Sequence, residues 1–352
     1  MRAVCCIDHG PPIRLEVADV SRPQLSEGHI RVAVKYCALG VPDLLVMNGN
    51  YQVKPELPFI PGCEVAGIVT EVGPGTTGVQ VGARVAGLNY TFVGGLAEEA
   101  VMPIAATVVL PDAVPLRIAS AMLVNYATSY YALKDRGDLR PDETVLVLGA
   151  AGGVGLAAIE IAKHLGARVL AAASTDEKLS VAKRHGADDC LNYADGRITD
   201  ELKSYGGVDV VVDPVGGVYS EQALRALRPG GRLLVIGFAA GEIRRIALNL
   251  PLLKDCSIVG AFLGAQTRDY PERFVANMTR LFDLYLEGCL SPEITEFDCF
   301  EDFLAALHYI ENRDSLGKVV MRVTAVGEGS SMKAAGRQDC DAARKTELAE
   351  SV

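Results

Sequence analysis

The chain has 352 residues, 49% of them hydrophobic and 22% charged, which is enough for two domains with cores of their own and excludes disorder over most of its length. Its 44 acidic residues outweigh 34 basic ones for a net charge of -10, and with no basic run to offset this, a nucleic-acid backbone is disfavoured as a partner. The nine cysteines are an odd number, with no CxxC pair and no Cys/His spacing of a structural zinc module, so they read as reduced intracellular thiols.

From the N-terminus, MRAVCCI is β-like and Asp8 follows closely, which leaves no room for a signal or transit peptide and makes the cytoplasm the expected location. IRLEVADV, HIRVAVKYCAL, EVAGIVTEVG, ARVAGL and EEAVMPI are short alternating strands separated by closely spaced Gly and Pro, and they predict a small β-barrel-like domain.

The stretch VLVLGAAGGVGLAAIEIAKHLGARVLAAAS, from Val145 to Ser174, changes the pattern. Its apolar part ends before Glu160 and Lys163 and is rich in glycine and other small residues, so it is too short and too small to span a membrane. Val145 to Leu148 predicts a buried parallel strand, GAAGGVG a tight turn, Leu156 to Leu165 a helix stopped by Gly166, and ARVLAAAS a second strand: a βαβ unit. The turn can be set against the dinucleotide fingerprint GxGxxG, with Ala150 in the first glycine place and Gly152 and Gly155 in the others. Gly152, Gly153 and Val154 then face a pyrophosphate at the N-terminus of the helix. The alternative is a glycine-rich turn in a core with no ligand.

Cofactor choice is read about 20 residues beyond the glycines, where a carboxylate would hold the ribose hydroxyls of NAD. That place is Ser174 here, and Lys178 sits one helical turn on, able to pair with a 2′-phosphate, so the sequence favours NADPH. Asp176 and Glu177 lie between them and would weaken that preference if either turned inward.

Beyond, GVDVVVDPVGG predicts a strand and glycine turn, SEQALRALRPGG a helix with its stop, and RLLVIGF the next strand. Asp209, Asp213 and Lys254 are read as solvated or capping charges without a chemical role. YPERFVANMTRLFDLYLEG and FEDFLAALHYIENR predict helices, and GKVVMRV a strand able to return to the first domain. From Val326 the chain is small, polar and mixed in charge, and 326–352 is expected to be a disordered tail.

Taken in order, PGCEVAGIVTEVG, GARVAGL, LVNYATSYYAL, GAAGGVG, VDPVGG, GRLLVIGFAAGEI and GKVV resemble the medium-chain dehydrogenase/reductase superfamily, in its zinc-free quinone oxidoreductase (zeta-crystallin-like) branch. The resemblance implies an α/β protein: a GroES-like, mostly-β substrate domain over 1–124, a Rossmann doubly wound parallel sheet binding NADP over 125–264, and a return to the substrate domain over 265–325. It also implies a homodimer joined through the Rossmann sheets, with no membrane and a small-molecule electrophile as partner. Zinc alcohol dehydrogenases of the superfamily place Cys, His and Cys where this chain has Gly40, Cys63 and Val124, and their cysteine lobe is missing from Gly87 to Glu98. Only Cys63 of the three could bind a metal, so no metal is expected; the alternative is a degenerate zinc site to which Glu64 and nearby Cys37 add ligands.

Without a Lewis acid, the accessible reaction is hydride delivery to an electron-poor acceptor, a quinone or an α,β-unsaturated carbonyl, with a hydrogen-bond donor for the developing oxyanion. By resemblance that donor is Tyr51, which otherwise reads as a loop tyrosine packed beside Pro55 and Pro58. The asparagine usual in the branch is Gly40 here, its aromatic neighbour is Val41, and Ala127 replaces a glycine. The resemblance further places Asn125, Thr128, Gly237, Phe238, Phe262 and Gly264 at the nicotinamide half of the cofactor, and Tyr193 with Ser174 and Lys178 at the adenosine phosphate. Two other readings stand beside the reductase. One is an enoyl-thioester reductase, for which no basic entry cluster is visible. The other is an NADPH-binding sensor, structural or RNA-binding protein with little turnover.

Overall fold

A computed structural model describes residues 1–10, 13–196, 198–298 and 300–323; the tail predicted at 326–352 lies outside the described residues. The buried apolar runs form a six-stranded parallel sheet in the order Asp189–Asn192, Arg168–Ala173, Thr144–Leu148, Val208–Asp213, Leu227–Val235, Ser257–Gly260. Val145, Leu146, Val147 and Leu148 are each 0% exposed, which is why this strand reads as continuous rather than alternating: both its faces are covered. The chain starts in the middle of the sheet, runs to one edge, then returns and runs to the other. The strand order thus reverses between Thr144–Leu148 and Val208–Asp213, and at such a reversal a crevice opens at the C-terminal ends of the strands.

The second sheet has seven strands: Ile294–Asp298, Lys318–Arg322, His29–Leu39, Glu64–Val72, Arg84–Leu88 and Thr107–Val109 in order, with Glu99–Pro103 also pairing with His29–Leu39. All its pairs are antiparallel except Ile294–Asp298 with Lys318–Arg322. The late strand Lys318–Arg322 enters this early sheet with Val319 opposite Leu39, which sets Lys318 beside Gly40. The architecture is a Rossmann sheet with helices plus a GroES-like β domain. The two sheets share a core, in which Phe274 and Phe282 of the helix Pro271–Leu286 cluster with Val145 and Val147 on one side and with Ala106 and Val108 on the other.

Two local expectations are corrected, and one segment is newly assigned. The helix after the glycine turn is Gly153–His164, because the Gly152 carbonyl already accepts from the Leu156 N–H at 2.9 Å and the glycines themselves build the first turn. RPGG is no helix stop: the helix ends at Arg225, and Leu227, buried and paired with Val208, opens a strand that carries Arg228 to Gly231 through an irregular register. The segment before Tyr51 is partly helical, Val41–Met47, with the Asp43 carboxylate accepting from the Gly40 N–H at 2.8 Å at its start.

Candidate active site

The crevice at the strand reversal is floored by the glycine turn. Gly149 adopts φ +61, a left-handed conformation that favours glycine, and the Gly152 N–H closes the turn on the Gly149 carbonyl at 3.0 Å. A side chain on Gly155 would overlap Gly149 and Ala150 backbone, and one on Gly153 would overlap the Asn125 amide. Gly152 differs: a Cβ there meets nothing nearer than the Gly149 carbonyl at 3.4 Å, so the space before it is unfilled. The first N–H groups of Gly153–His164 lack intrahelical acceptors, and the Gly317 backbone borders the turn, its N–H donating to the Ala151 carbonyl at 3.3 Å, so the turn presents a helix N-terminus of the polarity a pyrophosphate needs.

Ser174, at the end of Arg168–Ala173, and Lys178 flank the outer side of the crevice; Thr175 caps the intervening helix by accepting from the Lys178 N–H at 3.3 Å. The Asp176 carboxylate is held by the Asn192 amide at 2.7 Å and Glu177 is exposed. Tyr193 stacks obliquely on Tyr219 at 4.5 Å; burial, then Tyr219, push its hydroxyl pKa up, against the Gly149 backbone and the Arg313 guanidinium, which act the other way. Arg313 was not found from sequence. The Lys178 ammonium donates to its carbonyl at 3.2 Å and its own guanidinium donates to the Ala239 carbonyl at 3.0 Å, so Lys178 and Arg313 form a cationic rim beside Tyr193.

Asn125 and Thr128 are buried on the helix Asn125–Tyr130, Asn125 lying against Gly153. Gly237 sits over Pro214, and the Phe238 ring covers Gly216, where a Cβ would come within 3.0 Å of it. The Phe262 ring occupies the space that a side chain on Gly264 would take, and this pair follows the edge strand Ser257–Gly260 in the chain. Asp213, read as a capping charge, is buried and accepts from the Val215 and Gly216 N–H groups at 3.0 and 2.8 Å, fixing the neighbouring turn; Asp209 accepts from the Thr144 N–H.

On the substrate side, Tyr51 packs edge-on to Phe92 with centroids 4.9 Å apart, and its hydroxyl has no hydrogen-bond partner among the described residues. Burial first, then Cys63 and Asp43, push its pKa up to about 12. The three positions compared with metal ligands converge on something else. The Val124 N–H donates to Glu64 Oε2 at 2.9 Å, Glu64 Oε1 takes the Lys318 ammonium, and that ammonium lies behind Gly40. Asp43, Glu64 and Lys318 are 2%, 1% and 4% exposed. Burial raises Asp43 to about 6 and Glu64 to about 7 against the pull of Lys318, and holds the Cys37 and Cys63 thiols well above their usual range. Burial opposes the charge on Lys318, but Glu64 and Asp43 outweigh it. Among the described residues no group of three or more His, Cys, Asp or Glu is arranged to hold a metal ion. Lys318 and Asp43 went unrecognised as site residues, since only the strand pairing brings GKVV to PGCEVAG.

The comparisons with known proteins agree with the fold of a Rossmann sheet plus a GroES-like domain. Residues 26–112 match the family described as alcohol dehydrogenase GroES-like domain, and residues 153–280 match that described as zinc-binding dehydrogenase. Quinone oxidoreductase-like protein 2 of Bos taurus is 37% identical over 324 residues, covering 91% of this chain and 92% of the relative. The quinone oxidoreductase of Homo sapiens is 30% identical over 298 residues, covering 84% of this chain and 89% of the relative. The crystal structure of Escherichia coli quinone oxidoreductase complexed with NADPH superposes with a TM-score of 0.83 at 26% identity, covering 92% of this chain and 100% of that one. With its cradle at the strand reversal and relatives of this identity along nearly its whole described length, the chain belongs to the quinone oxidoreductase (zeta-crystallin-like) branch of the medium-chain dehydrogenase/reductase superfamily.

Proposed function

We propose that this protein is an NADPH-dependent reductase that works without a metal and transfers a hydride to quinones or α,β-unsaturated carbonyls. The observation that carries the reading is the joining of the unfilled cradle before Gly152 with the cationic rim of Lys178 and Arg313 beside Tyr193. An anion-binding helix N-terminus fits a pyrophosphate, and a rim of two cations without an inward carboxylate fits a 2′-phosphate. A bovine relative named for quinone reduction and a bacterial neighbour complexed with NADPH support it.

NADPH, when bound, supplies the hydride. The chain holds it: Gly152, Gly153 and Val154 receive the pyrophosphate, Ser174, Lys178, Tyr193 and Arg313 the adenosine phosphate, and Asn125, Thr128, Gly237 and Phe238 the nicotinamide half, with Gly264 seating Phe262 at its outer end. Tyr51, protonated throughout the working pH range and with its hydroxyl unengaged, donates a proton to the reduced acceptor. The domain limits proposed with this reading are 1–124, 125–264 and 265–325. A second copy would pair along the open edge strand Ser257–Gly260, beside which Leu248, Leu252 and Leu253 are 82%, 78% and 76% exposed. Light scattering of the purified protein and of Leu252→Glu, expected to be dimer and monomer, tests that assembly. We propose a cytoplasmic location; among the described residues no helix is long and apolar enough to cross a membrane.

The test of function is the rate of NADPH and NADH loss against ortho- and para-quinones, conjugated enals and enones, and a crotonyl thioester. Turnover of quinones or enones with preference for NADPH is expected. Preference for the thioester, or tight NADPH binding with no turnover, would reject the reading in favour of a thioester reductase or a binding module.

A further inference from the structure

A buried cation stands where Gly40, Cys63 and Val124 converge. The Lys318 ammonium is the nearest atom that a side chain on Gly40 would meet, at 3.2 Å. Cys63 precedes Glu64, to which the ammonium donates, and the Val124 N–H fixes the other oxygen of that carboxylate at 2.9 Å. Taking an ammonium out of water is costly without compensation, and here the buried Glu64 carboxylate pairs with it while a second buried carboxylate, Asp43, acts on it electrostatically. An ammonium has three donors; among the described residues Glu64 is the acceptor for Lys318, so donors remain. Asp43 Oδ1 is likewise buried without a partner. Gly40 is partly exposed and Val41 is 46% exposed, so the ammonium lies behind a glycine that solvent reaches and that carries no side chain to cover it. Tyr51, on whose hydroxyl Cys63 and Asp43 both act after burial, belongs to the same neighbourhood.

We propose that Lys318 is a catalytic residue: its ammonium, reached across Gly40, holds the oxygen of a quinone or enone and stabilises the oxyanion formed when hydride arrives. This rests on the reductase reading above. In the step, the hydride forms a new C–H bond on the acceptor, the displaced π electrons move onto the carbonyl oxygen, and the resulting oxyanion pairs with the ammonium. The neutralising proton then comes from Tyr51, which recovers it from water. Glu64 is a positioning residue, holding the ammonium in place from the Val124 end. A fixed, water-excluded cation of this kind is worth about 10²–10³ in kcat. Gly40 becomes a specificity residue, since a larger side chain there closes the approach.

The test uses 4-nitrophenol as a stable oxyanion, titrated into the full-length protein saturated with NADP⁺ and followed by phenolate absorbance against pH. Wild type is expected to lower the pKa of the bound phenol by about one unit or more. Lys318→Met should abolish the shift, Lys318→Arg retain most of it, and Gly40→Ala reduce it with Lys318 still present. Because Lys318→Met leaves Glu64 buried without its cation, Lys318→Met/Glu64→Gln is measured as well, and Gly40→Ala decides the matter independently of both. An unshifted or unbound phenol in wild type, or a full shift in the Lys318→Met proteins, overturns the proposal. NADPH oxidation by quinones and enones in the same samples separates the two claims. A phenolate shift without turnover supports the oxyanion site and rejects the reductase reading; turnover without a shift supports the reductase and rejects Lys318.

Discussion

Lys318 and Glu64 are 254 positions apart and meet as a buried ion pair that ties the last strand of the described chain to the strand Glu64–Val72 of the GroES-like sheet. Removing one partner of such a pair leaves an uncompensated group in a medium that cannot solvate it. Lys318→Met and Glu64→Gln are each predicted to cost about 3–5 kcal/mol in urea unfolding, and the double variant much less than their sum. Additive losses would mean that the two side chains do not act as a pair.

The cationic rim predicts cofactor selectivity. Lys178 and Arg313 are linked side chain to carbonyl, and Tyr193 lies in the field of the guanidinium. Charge-assisted hydrogen bonds contribute about 1.5–3 kcal/mol each, so Lys178→Ala and Arg313→Ala should each raise the KM for NADPH about 10–100-fold. The KM for NADH should barely move. Equal effects on both cofactors would place these residues at the pyrophosphate or outside the site.

Tyr51→Phe keeps the edge contact with Phe92 and removes only the hydroxyl. As a proton donor the hydroxyl is expected to supply about 10²–10⁴ in kcat, with little change in the affinity for NADPH. Because burial lifts its pKa to about 12, the wild-type rate should show no alkaline limb from this group below pH 11 or so. Unchanged kcat in the Phe variant would return Tyr51 to a packing role.

A separate network supports the helix that carries Asn125. Glu160 accepts from the Tyr126 hydroxyl at 2.7 Å and the Ser291 N–H, and pairs with His185 at 2.7 Å, which also faces Glu293 at 3.4 Å. The Glu160 hydrogen bond, outweighing burial, holds the His185 pKa above the usual imidazole value, so its contribution to stability is complete below that value and fades as pH rises through the raised one. Thermal unfolding followed from pH 6 to pH 8 should show this loss in wild type and a flatter slope in His185→Gln, which costs about 1–3 kcal/mol at pH 6. Parallel slopes would mean that the histidine titrates no differently when unfolded.

How much of this could be read from the sequence depended on the range of the interactions. The strand Thr144–Leu148 and the glycine turn after it are written in a local apolar run and a local glycine spacing, and the parallel sheet follows from repeats of that unit. Lys318 beside Glu64 is not local: it arises from the register of Lys318–Arg322 on His29–Leu39, a pairing that no periodicity specifies. Arg313 reaches the rim because the helix Phe303–Glu311 ends in a turn with Arg313 at φ +61. Val41–Met47 has Pro42 near its start and is short, so its helical character rests on the Asp43 cap rather than on an apolar stripe. The RPGG segment carries a turn signature, yet pairing of Leu227 with Val208 draws it into a strand.

The central claim, hydride transfer from NADPH to a conjugated carbonyl without a metal, is tested most directly with cofactor deuterated at C4 and enzyme treated with chelator. The enone product should carry one deuterium at its β-carbon at an undiminished rate. Product without deuterium at the β-carbon, or turnover abolished by the chelator and restored by zinc, would contradict the account.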